Sequence, residues 1–133
     1  VCAAPTLLAR LGTPQMPVDL ARFPLVTHLN AGHLNRWTFL IEGERRPWPV
    51  SGRFSANTTW LGLEMVRAGL GLGWHSTLLV APLLARGELV EVLAPFRDPG
   101  WAPVWAVMLP ERDRLPRIRA VVDFLAEAMH EAG

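Results

Sequence analysis

The chain has 133 residues, half of them hydrophobic, which is enough for one globular core but hardly for two. The chain has thirteen arginines, no lysine and twelve acidic residues. The arginines are spread along the chain, which argues against a nucleic-acid-binding surface. The single cysteine, Cys2, excludes an internal disulfide, and no apolar run approaches the roughly 18 residues of a membrane span. We therefore expect a soluble, cytoplasmic protein with no membrane partner. The first residue, Val1, is not Met, which indicates a processed or truncated chain.

Prolines and glycines divide the first half of the chain into short elements. Pro5 to Gly12 predicts a short helix, and Pro17 to Phe23 predicts one more helical turn. The apolar run Leu25 to Leu29 follows as a buried strand. The apolar residues of "RWTFLIEGERRPWPVSGRFSAN" then alternate, which predicts a hairpin of Trp37 to Ile41 with Pro49 to Ser55.

Helical and extended patterns alternate in the second half. "TTWLGLEMVRAG" predicts a helix that stops at Gly69, and "LGLGWH" a short strand. "TLLVAPLLARG" predicts a helix ended by Gly87, followed by the strand "ELVEVL". Pro103 to Pro110 predicts a fully buried strand, and "LPRIRAVVDFLAEAMHEA" an amphipathic helix. This alternation indicates an α/β fold with a parallel or mixed sheet.

The stretch "AGLGLGWHS" has three glycines at alternate positions, but it fits no catalytic or phosphate-binding loop. A dinucleotide fingerprint needs glycines after a strand and before a helix, and here the order is reversed. A Walker loop needs Lys, and a hydrolase elbow needs Ser where His75 stands. The glycines therefore predict a tight crossover from helix to strand. Trp74 and His75 would follow at the carboxyl end of that strand, where α/β folds bind ligands.

The remaining polar residues do not assemble a catalytic or metal site. Ser76 adjoins His75, but neighbours on a strand point to opposite faces. His28 and His33 lack a Cys pair or further ligands for a metal ion. We expect structural or surface histidines, no enzyme activity, no metal and no cofactor.

Four ordered blocks of the chain resemble the effector-binding domain of LysR-type transcriptional regulators. They are "VCAAPTLLARLGTPQMPVDLARFPLVTHL", "WTFLIEGERRPWPVSGRFSAN", "LEMVRAGLGLGWHS" and "LPRIRAVVDFLAEAM". The resemblance covers nearly the whole chain, and the order and spacing of the blocks make it specific. It favours a sensory regulatory domain; the alternative is a solute-binding module of a transport system with the same fold, distinguished by the residues upstream of Val1.

The resemblance implies an α/β, periplasmic-binding-protein-like (type 2) fold, with an effector in the cleft between two subdomains. Residues from about 14 to 93 would form most of the second subdomain, and 103–133 would return to the first. The winged helix-turn-helix that opens family members is missing from this chain, so DNA would be bound only through that N-terminal domain. The apolar faces of the returning strand and helix predict cover by another polypeptide, either a second copy in a dimer or tetramer or the upstream half of a longer parent chain.

The positions that match the family's effector contacts are Asn30, Ser55, Asn57, Thr58, Thr59, Trp74 and His75. "SANTTW" also carries residue types that cap a helix, and a helix N-terminus attracts carboxylates, so capping and ligand contact both remain open there. Trp74 fits either a core aromatic residue or a wall of the cleft. The expected partner is a small organic-acid effector.

Overall fold

The computed structural model describes residues 1–99, 105–109 and 115–131. The chain forms two compact units, Val1–Pro99 and Gly100–Gly133. The elements in chain order are β1 (Cys2–Ala3), α1 (Pro5–Leu11), β2 (Val26–His28), β3 (Arg36–Ile41), β4 (Glu44–Pro49), β5 (Phe54–Ala56), α2 (Thr59–Arg67), α3 (Thr77–Ala85), β6 (Val90–Glu91) and α4 (Pro116–Glu131). Short 3₁₀ helices span Pro17–Arg22, Gly32–Asn35 and Ala94–Phe96.

A mixed sheet runs through the first unit in the spatial order β6, β1, Leu72–Gly73, β2, β5. β1 pairs antiparallel with β6, and β2 pairs parallel with β5. Leu72–Gly73 joins these two ladders through isolated bridges, antiparallel to Cys2 and parallel to Leu25. β1 therefore runs opposite to the other members, and the predicted mixed α/β sheet is confirmed.

The two faces of this sheet carry separate cores, because neighbouring residues of a strand point to opposite sides. One core contains Ala3 and Leu25 together with Trp37 and Phe39 of β3. The other contains Cys2 and Val26 with residues of α2 and α3, which are Leu63, Val66, Val80 and Leu83. The sheet is thus covered by the α1 and β3 side on one face and by α2 and α3 on the other.

The glycines of "AGLGLGWHS" form the predicted crossover. Gly69 follows α2 with φ 74°, a backbone conformation that L side chains rarely adopt. A Cβ on Gly71 would lie 2.7 Å from the carbonyl oxygen of Pro24, and one on Gly73 would lie 2.5 Å from Cγ2 of Val66. One glycine therefore permits the turn, and the other two permit close approach of the crossover to β2 and α2.

The prediction of the hairpin is confirmed for its first strand, Trp37 to Ile41, and wrong for its second strand, Pro49 to Ser55. β3 pairs with Glu44–Pro49, and Phe54–Ala56 pairs with β2 instead. A two-residue turn at Glu42 and Gly43, with φ of 54° and 80°, fixes this register. The prolines of β4 are tolerated because its only partner in the described part of the chain is β3, which leaves an edge free.

Two predicted strands are shorter than expected. "LGLGWH" contributes only Leu72 and Gly73 to the sheet, and "ELVEVL" forms a strand only at Val90–Glu91. In both, the chain passes between a helix and the sheet within a few residues, and only a pair of residues lies alongside β1 or β2 in a strand conformation.

The predicted buried strand from Pro103 to Pro110 is wrong over its described part. Residues 105–109 form no strand, and Trp105 and Val107 are 78% and 92% exposed. A strand needs a partner for its backbone N–H and C=O groups, and none of the described strands pairs with this segment. Pro103, Val104 and Pro110 lie outside the described residues.

The predicted closing helix is confirmed as α4, which begins at Pro116. Ile118, Val122 and Met129 are half-buried on one face. Val121, Phe124 and Leu125 are exposed. None of the helices in the described ranges is both long and apolar enough to cross a membrane.

Candidate functional site

The predicted site residues gather at one edge of the sheet. β2, Leu72–Gly73 and β5 lie side by side and run in the same direction. The residues that follow them therefore emerge at the same edge, as ligand sites of open α/β sheets do. Asn30 follows β2, Trp74 and His75 follow Gly73, and the start of α2 follows β5.

The start of α2 combines a capped N–H group with free ones. Thr58 is the N-cap, and its hydroxyl accepts a hydrogen bond from the N–H of Leu61 at 3.2 Å. The N–H of Gly62 donates to the carbonyl of Thr58 at 3.1 Å. The N–H groups of Thr59 and Trp60 have no acceptor within the described part of the chain. They stand at the positive end of the helix dipole, where an anion is favoured.

The His75 ring lies between α2 and the crossover. A Cβ added at Gly62, in the first turn of α2, would be 3.6 Å from His75 Cε1, and one at Gly73 would be 2.8 Å from its Nε2. Only glycine leaves room for the ring at Gly73. His75 is thereby held against the same helix turn that carries the free N–H groups.

Both ring nitrogens of His75 are buried without a hydrogen-bond partner. Burial, followed by the positive charge of nearby His28, lowers the pKa of His75 from 6.5 to about 4. The ring is therefore neutral at physiological pH and offers one donor and one acceptor. Ser76 makes no hydrogen bond to either nitrogen, so the two residues do not form a nucleophile and base pair.

Side chains hold the end of β2 in place. Asn35 Oδ1 accepts from the His28 N–H at 2.8 Å, and its Nδ2 donates to the His28 carbonyl at 2.9 Å. The hydroxyl of Ser55 lies 3.0 Å from that of Thr27, which is buried. Asn30, with φ 61°, is exposed in the loop beyond. Ser55 therefore links β5 to β2, and Asn30 stands free at the rim.

Trp74 lies at the border between core and solvent. Its ring centroid is 6.4 Å from that of Trp37, which is 2% exposed, whereas Trp74 itself is 38% exposed. One part of the indole thus packs on the core, and the other remains open at the site edge.

The structure adds two residues that the sequence patterns do not single out. The side chain of Asn35 makes the two hydrogen bonds to the His28 backbone that a neighbouring strand would otherwise make. Trp60 is 66% exposed in the first turn of α2. A tryptophan directly after the capping residues "NTT" is a usable sequence signal for Trp60, because it falls in the first turn of the predicted helix. Asn35 has no comparable signal, because asparagine is common in loops. No group of residues within the described ranges has the composition of a metal site.

The mixed sheet and its glycine crossover agree with the fold of an effector-binding regulatory domain. The family model described as LysR substrate binding domain matches residues 1–130. The chain belongs to this family, as the four sequence blocks predict. Its fold is the type 2 periplasmic-binding-protein-like fold of LysR regulatory domains.

Individual relatives agree with this assignment. The probable HTH-type transcriptional regulator LtrA of Klebsiella pneumoniae is 29% identical over 97% of this chain and 42% of its own length. PtxR of Pseudomonas aeruginosa, an HTH-type transcriptional regulator, is 34% identical over 94% of this chain and 40% of its own. The chain thus spans less than half the length of these relatives.

A solved structure shows the same architecture. The regulatory domain of CrgA, a LysR-type transcriptional regulator from Neisseria meningitidis, superposes with a TM-score of 0.86 at 30% sequence identity. The match covers 95% of this chain and 62% of the CrgA domain.

Proposed function

We propose that this chain is the effector-sensing part of a transcription regulator and binds a small organic acid at the start of α2. The observation that carries the proposal is the neutral His75, which has two unpartnered ring nitrogens and whose Cε1 edge packs beside Gly62, in the helix turn that carries two free N–H groups. Buried polar atoms without partners are uncommon in folded proteins, and a ligand is one way to satisfy them.

The chemistry of the edge favours a carboxylate. The N–H groups of Thr59 and Trp60 would each donate a hydrogen bond to a carboxylate oxygen, with the helix dipole contributing on the order of 1 kcal/mol when partly buried. The Thr59 hydroxyl supplies a further donor, and His75 can donate from one ring nitrogen. The exposed part of Trp74 would cover the carbon skeleton of the acid.

The role is binding rather than catalysis. His75 has no hydroxyl or thiol within hydrogen-bonding distance, and the buried Cys2 thiol donates to the Gly73 carbonyl. The family consists of transcription regulators, and we infer that this member acts on DNA in the cytoplasm, through an N-terminal helix-turn-helix outside the present chain.

We also propose the subdomain arrangement that the sequence predicts. Residues from about 14 to 93 would form most of one subdomain, and 103–133 would belong to the other. The boundary between the two compact units, at Pro99, falls between these ranges. The exposed apolar side chains of α4, including Phe124 at 68%, support burial by a second polypeptide in a dimer or tetramer.

The test is titration of the isotopically labelled chain with benzoate, followed by amide chemical shifts. Benzamide is the matched neutral ligand. We expect benzoate to shift the amide signals of Thr59 and Trp60 and the ring signals of His75, and benzamide to shift them at least several-fold less. Thr59→Val should weaken benzoate binding several-fold without a change of fold, because it removes one hydroxyl donor and keeps the shape.

The matched control is Thr38→Val, which alters a threonine of β3 that is not among the proposed ligand contacts. It should leave the benzoate shifts unchanged. Equal responses to benzoate and benzamide, or shifts away from the start of α2 and His75, would contradict the proposed site.

A further inference from the structure

A second polar feature lies at the opposite end of the sheet. Arg10, Arg22 and Arg53 line one surface depression, here called the arginine depression. They come from the last turn of α1, the end of the 3₁₀ helix Pro17–Arg22 and the loop before β5. β2 and β5 begin beside this depression, whereas the proposed effector site lies where those strands end.

The charges of the arginine depression are not neutralised within the first unit. Five other arginines of the first unit form ion pairs: Arg45, Arg46, Arg67, Arg86 and Arg97. Arg10, Arg22 and Arg53 have no carboxylate within salt-bridge distance in the described part of the chain, and no acidic residue lines the depression. Three positive charges therefore face solvent together.

Asp19 is the carboxylate whose charge is coupled to Arg22, yet it is already engaged. Its Oδ2 accepts hydrogen bonds from the backbone N–H groups of Gln15 and Met16, both at 2.9 Å. These two bonds, and to a lesser degree the Arg22 charge, lower the pKa of Asp19. Asp19 thus keeps its charge, but Arg22 forms no ion pair with it in the described part of the chain, so the guanidinium donors of Arg22 remain available.

A second depression on the same unit shows the contrast. It is lined by Arg67 together with Glu64 and Glu88, and Arg67 pairs with both carboxylates, at 2.8 and 2.6 Å. The positive charge of Arg67 is thus balanced by two acidic neighbours within its own depression. The arginine depression offers no such acidic neighbour to its three guanidinium groups.

Apolar surface accompanies the three charges. Leu11 lines the same depression and is 44% exposed, and Phe23 and Pro24 are half-buried beside it. The Arg53 guanidinium lies 5.9 Å from the ring centroid of Phe54, which orients it. An open surface that alternates guanidinium groups with apolar side chains suits an extended chain better than an enclosed small anion.

We propose that the arginine depression docks an acidic segment of a partner protein, in which Glu or Asp side chains alternate with apolar ones. Each guanidinium would hold a carboxylate in the two-pronged geometry that arginine favours, and Leu11 and Phe23 would receive the apolar side chains. The partner is expected to be acidic because its carboxylates complement the three positive charges of the depression.

The experiment uses fluorescence anisotropy of a fluorescein-labelled peptide of Glu-Glu-Leu repeats titrated with the chain. A Gln-Gln-Leu peptide is the neutral control. The triple variant Arg10→Gln, Arg22→Gln, Arg53→Gln should weaken binding of the acidic peptide by about tenfold or more, since it removes three charged donors. Arg36→Gln is the matched control, because Arg36 also lacks an ion pair but does not line the depression.

Binding of the acidic peptide that is lost in the triple variant and kept in Arg36→Gln supports the proposal. Should the triple variant unfold by circular dichroism, each single variant should still weaken binding several-fold. No binding of the acidic peptide, equal loss in Arg36→Gln, or a DNA duplex that displaces the peptide with higher affinity would overturn it.

Discussion

Gly71→Ala tests the crossover most directly. A Cβ at this position would lie 2.7 Å from the carbonyl oxygen and 3.0 Å from the carbonyl carbon of Pro24, and backbone atoms cannot rotate away. β2 must therefore move from Leu72, whose N–H donates to that same carbonyl at 2.9 Å. A second bond, from the Val26 N–H to the Leu72 carbonyl at 2.8 Å, would weaken with it.

The free energies add as follows. Crowding in a packed interior costs about 1–3 kcal/mol, and each weakened hydrogen bond about 0.5–1.5 kcal/mol. Alanine lowers the conformational entropy of the unfolded chain, which stabilises the folded state by about 0.4–1 kcal/mol. We expect Gly71→Ala to lower the free energy of unfolding by about 1–6 kcal/mol, with a central value of about 3 kcal/mol.

Urea unfolding followed by circular dichroism measures this change as a lower midpoint with an unchanged slope. Gly32→Ala is the matched control, because its Cβ would meet no atom within 4 Å and its φ is not in the left-handed region. It should alter stability by less than about 0.5 kcal/mol. Similar midpoints for Gly71→Ala and Gly32→Ala would refute the steric reasoning.

Trp37→Ala should lower the free energy of unfolding by about 3–5 kcal/mol in urea titrations and Trp74→Ala by clearly less, because only Trp37 is fully buried. Thr58→Ala should lower it by about 0.5–2 kcal/mol through loss of the N-cap, again in urea. Burial raises the pKa of the Cys2 thiol to about 11, so at pH 8 about one thiol in a thousand is ionised and Ellman's reagent should react slowly until urea unfolds the chain. The His75 ring, with its pKa lowered to about 4, should show no NMR titration between about pH 5.5 and 8, the range in which an ordinary histidine titrates. Because the unfolded chain binds that proton near pH 6.5, stability should fall as the pH drops from 6.5 towards 4, and His75→Phe should flatten this slope in urea midpoints.

Element boundaries set by glycine or proline were predictable from sequence. Gly12, Gly69 and Gly87 each adopt a positive φ just after a helix, the position where glycine is favoured. The register of the hairpin was not predictable in the same way. Pro47 and Pro49 read as strand breakers, and only their place on an edge strand makes them compatible with pairing.

The site was predictable in part, for a related reason. The order of elements places Trp74, His75 and the start of α2 at the carboxyl edge of a parallel sheet, whatever the details of packing. The unpartnered nitrogens of His75 depend instead on how closely Gly62 and Gly73 approach the ring. Such distances depend on tertiary packing and cannot be predicted from periodic patterns in the sequence.

The bridge between Cys2 and Gly73 also has a consequence for folding order. It joins residues 71 positions apart, whereas the turn at Glu42 and Gly43 closes its hairpin locally. Closing the longer loop costs more chain entropy, so β1 should join the sheet after the hairpin has formed. The amide protons of Cys2 and Gly73, both bonded across this bridge, should then become protected from exchange with solvent later during refolding than the amide protons of the hairpin.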